Sequence, residues 1–317
     1  MIVAGVFLVA SLAAAVPGPT LSEARQAFEA GDPRAGSMVE AILRRQPEQV
    51  DAAVLQVRWM MAAGNTAAAL ERAEKLVEQF PRHASVHLVL ADAYAAEINH
   101  MGRFQQMRTA ARIRSALERA LDLDPRLVGA RESLLMYYLQ APWIAGGSID
   151  AAAEQAEEIR RLDPVRGRAA DARVLDAREQ PAESLAAWKE ACERSGGIGG
   201  LCLEYGLVLQ KQARWSQAWA LFEAWLLKRP DDAAAWYQIG RISALSGGDP
   251  ARGIEALSRF LALPKRFDTP RAEHAWLRLA EIHQTRGDRS AAVDALQRAL
   301  AIDPDYQEAR EALARLR

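Results

Sequence analysis

The side chains best suited to chemistry are few: 2 cysteines and 5 histidines in 317 residues. His83 and His87 are four apart, a spacing that places two imidazoles on one helical turn, as a metal pair requires. Yet His83 follows Pro81 in a turn and His87 falls on an inward position of the next helix, so the two read as structural. Glu97-x2-His100 has the spacing of a di-iron carboxylate bundle, which also needs a second such pair and two further glutamates. No such set occurs. A phosphate loop, a dinucleotide turn, a zinc-protease helix and a nucleophile elbow are all missing from the sequence. Serines and histidines are too scattered to suggest a triad. The chain therefore reads as a non-enzyme, with no catalytic, metal or cofactor-binding residue expected. Cys192 and Cys202 leave two readings open. They flank a turn rich in glycine, and antiparallel helices joined there can bring Cα atoms within the ~7 Å that a disulfide allows. Each could instead pack as a small buried thiol.

The clearest charge run is Arg103, Arg108, Arg112, Arg114 and Arg119, with no acid between Glu97 and Glu118. On a helix, Arg108, Arg112 and Arg119 share a broad face while Arg114 points elsewhere. Such a face could meet phosphate, an anionic lipid or an acidic protein; the plainer reading is a solvated surface. The net charge of −1 excludes a chain-wide basic field, so no nucleic-acid partner is expected. Half the residues are apolar, enough to bury a large core.

Residues 1–15 read as a signal peptide and 16–19 as a linker. The start, MIVAGVFLVASLAAAV, is free of charge, and Pro17-Gly18-Pro19 ends it. The run is shorter than the ~20 residues of a membrane span. Ala13-Ala14-Ala15 offers a cleavage site after Ala15, although the segment carries no Lys or Arg ahead of the apolar run. No later stretch is apolar enough for a stable membrane span, so a periplasmic or extracellular protein is expected.

The elements that must position these residues repeat. Prolines at 47, 81, 125, 164, 230, 264 and 304 follow helical patterns at intervals of 34, 44, 39, 66, 34 and 40. The residues inside the period agree. One unit reads Trp276-x2-Leu279-Ala280-x2-His283, then Ala292-x3-Leu296, Ala299 and Pro304. Others read Cys202-x2-Tyr205-Gly206-x2-Leu209 with Ala218-x3-Phe222, and Trp236-x2-Ile239-Gly240-x2-Ser243 with Gly253-x3-Leu257. Earlier units carry His87-x2-Leu90-Ala91-x2-Tyr94 and Arg131-x2-Leu134-Leu135-x2-Tyr138. These spacings put the residues on one helix face. Small residues such as Gly206, Gly240 and Ala280 permit close approach, and each proline is read as ending a second helix.

This pattern resembles the tetratricopeptide repeat family over roughly residues 20–317, most clearly in the last three units. The resemblance implies an all-α fold: a right-handed superhelical solenoid of about eight helix pairs with a C-terminal capping helix. The pairs are expected at 20–47, 51–81, 84–125, 128–164, 167–196, 199–230, 233–264 and 272–304, forming a single solenoid with a soft joint at 195–200. Trp225 and Phe260 stand where the family usually has a small residue, which implies wider packing there.

Two units are lengthened. Between Glu97 and Ile113 the composition predicts two longer helices meeting near Met101-Gly102. Leu139 to Ser148, with Pro142 and a glycine pair, predicts an irregular loop. Trp143 and Ile144 are expected to tuck over the gap beside Tyr137-Tyr138. A loop so placed after a double tyrosine resembles a group of exported bacterial repeat proteins, which agrees with export.

One surface remains for function, the concave face formed by the first helix of each unit. Candidates there are Arg58, Met61, Leu88, Asp92, Glu132, Met136, Leu203, Leu207, Tyr237, Arg241, Leu277, Glu281 and Gln284. Their apolar and charged mixture suits an extended or helical peptide, so a non-catalytic scaffold for a protein or peptide partner in the cell envelope is the first expectation. The regular Lys and Asn set with which some family members hold chaperone C-termini is lacking. The alternative is an envelope carrier of a small or lipidic ligand in an enclosed apolar pocket.

Overall fold

Five of the proline positions open the same local structure. In Gln46-Pro47-Glu48-Gln49, Phe80-Pro81-Arg82-His83, Asp124-Pro125-Arg126-Leu127, Arg229-Pro230-Asp231-Asp232 and Asp303-Pro304-Asp305-Tyr306, the fourth N–H donates to the first carbonyl at 3.1–3.2 Å. Proline fixes the backbone for the second position of such a turn and cannot prolong the preceding helix. The next helix then ties back to the turn. The Trp236 indole N–H donates to the Pro230 carbonyl at 2.7 Å, and Arg131 donates to the Pro125 carbonyl at 2.8 Å. His87 Nε2 lies 2.9 Å from the Pro81 carbonyl.

The computed structural model describes residues 18–264, 266 and 269–316. The segment expected to be a signal peptide, 1–15, and the first two residues of the expected linker lie outside the described residues. Among the described residues the elements are helices, paired in chain order. The pairs are α1 (Leu21–Glu29) with α2 (Ala35–Arg45), α3 (Val50–Ala62) with α4 (Thr66–Gln79), α5 (Ala84–Glu97) with α6 (Arg103–Leu123), and α7 (Val128–Gln140) with α8 (Ile149–Leu162). Then follow α9 (Pro164–Ala177) with α10 (Pro181–Arg194), α11 (Gly200–Lys211) with α12 (Trp215–Lys228), α13 (Ala233–Ser246) with α14 (Pro250–Ala262), and α15 (Ala272–Thr285) with α16 (Arg289–Ile302). Helix α17 (Gln307–Arg315) closes the stack by packing on α16. Each helix packs on its chain neighbours, and first helices also touch the next first helix, as α3 does α5 and α13 does α15. That extra contact makes the first-helix layer the inner one of an all-α solenoid.

Pro164 departs from the expectation. It opens α9 instead of ending α8, and Asp163 serves both helices as the residue between them. Asp163 Oδ1 accepts the N–H groups of Val165 and Arg166, each at 3.0 Å, and proline costs nothing at the first helical position because that N–H has no partner within the helix. The fifth unit thus begins at 164, not 167.

Close approach rests on glycine where the pattern placed it. A Cβ on Gly240 would lie 2.2 Å from Leu257 Cγ, and one on Gly206 2.3 Å from Phe222 Cζ. The two bulky departures are absorbed: Trp225 stacks on Phe222 with centroids 6.0 Å apart, and Phe260 meets Tyr237 at 5.3 Å. Within pairs the turn residue is left-handed, at Gly31, Gly64, Gly247 and Gly287, but also at Glu179 and Ala213 with φ of 58° and 54°.

The stack changes character at 195–200. Inner contact between first helices falls away between α9 and α11. The packing of α9 and α10 is built on Ala169, Ala172, Ala187 and Ala191 around Trp188, the one large side chain among the buried members of that cluster. Across the Gly-rich turn, Cys192 and Cys202 have Cα atoms 4.5 Å apart and Sγ atoms 2.05 Å apart, bonding distance, tying α10 to α11.

Candidate functional site

The lengthened units shape a cleft of about 940 Å³. Its walls come from α5, α6, α7 and the loop 141–148, with Arg173 reaching in from α9. The first insertion is spent as a short turn at 98–100 and then as 21 residues of α6, which overshoots its partner. Thr109, Ile113, Ala116, Leu117 and Ala120 bury one stripe of α6. Nearer its start, Phe104 and Met107 stay exposed, because no neighbouring helix reaches that far.

The second insertion is held by its backbone. Tyr137 Oη donates to the Ala145 carbonyl at 2.5 Å, and the Ser148 N–H donates to the Tyr138 carbonyl at 2.9 Å. Gly146 is left-handed, and a Cβ on Gly147 would come within 1.8 Å of the Ala141 carbonyl oxygen, so only glycine fits there. Arg114 pairs with Glu118 at 2.7 Å and lies over the Tyr138 ring, turned from the exposed face of Arg108, Arg112 and Arg119. These contacts overturn the expected placement of Trp143. The two tyrosines and Arg114 already occupy the gap it was to cover, and Trp143 is 85% exposed with Ile144 at 58%. Ile144 lines the cleft instead. Five of the large apolar side chains exposed among the described residues (Phe104, Met107, Trp143, Ile144 and Ile149) belong to the insertions or directly follow the second.

The first-helix candidates divide into three groups. Asp92, Glu132 and Met136 line the cleft, where the structure brings them together with Ser133, Met107 and Arg173. Leu88, Tyr237 and Leu277 are corrections: they are buried in the core, Leu88 against the α6–α7 packing and the other two in the C-terminal core. A side chain on the inner layer is covered when the next first helix lies against it, as α15 does against α13. Arg58, Met61, Leu203, Leu207, Arg241 and Glu281 are half-buried along the inner layer, and Gln284 is exposed. Glu281 and Gln284, with Leu277 at the back, line a separate pocket of about 500 Å³ against α17.

The electrostatics of the two ends differ. In the cleft, burial pushes the Asp92 pKa up; the Arg58 charge and a hydrogen bond from the Ser133 hydroxyl, 3.3 Å away, pull it back only in part. Glu132 is paired by Arg166, whose Nε donates to it at 2.8 Å. Toward the C-terminus, Arg241 donates to the Gln210 side chain, and Gln210 in turn donates to Gln238 at 3.0 Å. Burial first, and the charge of Arg278 second, lower the Arg241 pKa from the ordinary guanidinium value.

The other chemical candidates are dispersed. His83 is exposed outside α5, edge-on to Phe80, while His87 is buried against Pro81. Glu97 and His100 are separated by the end of α5, and among the described residues no group of three or more His, Cys, Asp or Glu is placed to hold a metal ion. No described helix is long and apolar enough to cross a membrane. Sequence reading missed Phe104, Met107, Ser133 and Arg173. Phe104 and Met107 carried a signal, being apolar residues three apart in the segment that lies outside the repeat period.

Two family models described as Tetratricopeptide repeat match residues 61–105 and 273–316. No curated relative matches the sequence. Among solved structures, yeast Tom70 is similar over 94% of this chain and 60% of its own length, at a TM-score of 0.64 and 13% identity. A thermophilic TPR protein in Thermus thermophilus is similar over 60% of this chain and 97% of its own, at 0.54 and 23%. PilW, a widely conserved type IV pilus biogenesis factor, is similar over 73% and 98%, at 0.51 and 20%. At these identities the likeness is one of fold.

Proposed function

Because this chain is a tetratricopeptide-repeat protein, we propose that it is a non-catalytic scaffold that binds a protein partner in the cell envelope, through the cleft between α5, α6, α7 and the loop 141–148. The observation that carries this reading is the gathering of exposed apolar side chains on the two insertions that shape that cleft, with Met107 and Ile144 on its lining. Contiguous apolar surface at a concavity is what a soluble chain keeps when it has something to bind. Elsewhere the repeat core consumes its apolar residues, so the regular units offer less of this surface. Met107 and Ile144 line the cleft and stay exposed, and Phe104 and Trp143 are exposed on the same two insertions, which favours a protein surface over an enclosed carrier cavity. Export is supported by the charge-free segment at 1–16 and by the bond between Cys192 and Cys202, since disulfides persist in oxidising compartments.

Site-specific photocrosslinking in intact cells tests the reading. A photoreactive residue at Met107 or Ile144 is expected to give a discrete protein adduct, and one at the exposed Leu227 on α12 none. Equal labelling at all three positions, or no adduct at either cleft position, would discard the cleft as the binding site. Fractionation with N-terminal sequencing tests export: a cytoplasmic chain retaining Met1 would discard that part.

A further inference from the structure

The charges lining the cleft are unequally satisfied. Glu132 is neutralised by Arg166. The Arg173 guanidinium lies 4.9 Å from the Trp188 ring centroid, and Arg103 stands in solvent at the mouth. Asp92 differs from all three. It is half-buried on the wall, its carboxylate receives the one Ser133 hydrogen bond, and among the described residues no Lys, Arg or His nitrogen lies within 4.0 Å of it, the charge of Arg58 acting only from beyond that distance. A carboxylate can accept about four hydrogen bonds. Partly removed from water with so few, it destabilises the empty protein, and the lining it belongs to includes the apolar Ala95, Ile98 and Met136 beside Glu132 and Ser133. The unmet demand is for a cation that arrives from the cleft.

Resting on the scaffold reading, we infer that the cleft takes a peptide segment of the partner protein in which a lysine or arginine stands beside apolar anchors. The cationic head meets Asp92, and the anchors lie on Met107, Met136 and Ile144. An ammonium or guanidinium at hydrogen-bond distance would supply the donors that Asp92 lacks, in surroundings where a charge-assisted bond is strong. The long aliphatic stem of either side chain suits the apolar wall on the way in. Charge complementarity also shapes the flanks. Arg103 at the mouth, with Arg108 and Arg112 exposed further along α6, favours neutral or acidic residues on either side of the basic one.

Selection of random 12-residue peptides displayed on phage, against the full chain and its variants, tests this. The wild type is expected to enrich sequences with Lys or Arg within four residues of Leu, Ile, Met or Phe, and Asp92→Asn to lose the basic preference while keeping the apolar one. Asp92→Glu, which retains the charge, should retain the preference. A synthetic peptide from the enriched pool should bind at least tenfold more weakly when its basic residue becomes norleucine. That same change should cost nothing further against Asp92→Asn, the signature of a direct pair. Thermal unfolding of Asp92→Asn at neutral pH should occur at or above the wild-type temperature, because an unpaired buried charge has been removed. Pools with no basic excess, or with one that Asp92→Asn leaves unchanged, would overturn the cation inference and leave the scaffold reading standing. No enrichment, or enrichment indifferent to Met107→Glu, would overturn both.

Discussion

The units built from α5 to α8 and those built from α11 to α17 answer one packing problem differently. In the C-terminal units the period holds. First and second helices match in length, glycine lets Leu257 and Phe222 press onto the facing backbone, and the inner side chains Tyr237 and Leu277 are swallowed by the core. In the lengthened units α6 outruns α5 and a loop stands between α7 and α8, so apolar side chains remain with nothing to cover them and a cleft opens. The difference teaches that in a solenoid the regular positions serve cohesion, while departures from the period are where surface becomes available for recognition.

The largest test of that contrast pairs a core deletion with a cleft deletion. Leu257→Ala is expected to destabilise by about 3–4 kcal/mol, since the side chain is fully buried between α13 and α14. Met107→Ala and Ile144→Ala should each stay within about 0.5 kcal/mol. Denaturant unfolding decides it, and a loss of more than about 2 kcal/mol at either cleft position would show that the cleft side chains serve the core.

The joint between the two regions gives the next effect. Replacing Cys192 and Cys202 with serine is expected to cost about 2–3 kcal/mol, the chain-entropy contribution of a loop this short. Because inner contact falls away between α9 and α11, hydrogen exchange should quicken first in the turn at 195–200. Thiol titration of chain unfolded without reductant should find no free thiol. Two per chain would remove the bond, and with it one support for export.

The smallest effect concerns backbone conformation. Ala213 is left-handed at the turn where four other pairs use glycine. Ala213→Gly should stabilise the chain by about 1 kcal/mol, and Glu179→Gly similarly, since a Cβ is unfavourable at positive φ. Thermal melts should shift upward. Unchanged or lower melting temperatures would mean that the alanine and glutamate are kept by contacts beyond the turn.

Legibility followed the same division. The helix pairs of the regular units could be placed from Trp236, Gly240 and Leu257, because apolar spacing, small residues and proline turns all report one geometry. The unit of α9 and α10 was dim: its core is mostly alanine, which gives little hydrophobic contrast, and Pro164 opened a helix where the period read an end. In the cleft, Asp92, Glu132 and Met136 were legible as inner-face positions, whereas Met107 was hidden in a segment the repeat pattern does not describe.

The amino-acid sequence by itself determined the repeat, the pairing of its helices and the places where it is interrupted, since these depend on spacings of three, four and seven residues and on the backbone limits of proline and glycine. Only the tertiary structure decided which inner-face side chains are spare. Leu88, Tyr237 and Leu277 share a helical phase with Asp92 and Met136, yet the first three are covered by neighbouring helices and the last two, half-buried, reach the wall of the cleft. The same is true of Trp143, turned outward because Tyr137 and Arg114 had filled the gap beneath it. Phase along one helix is a local property, but exposure depends on how far the next helix reaches and what has already filled the space between.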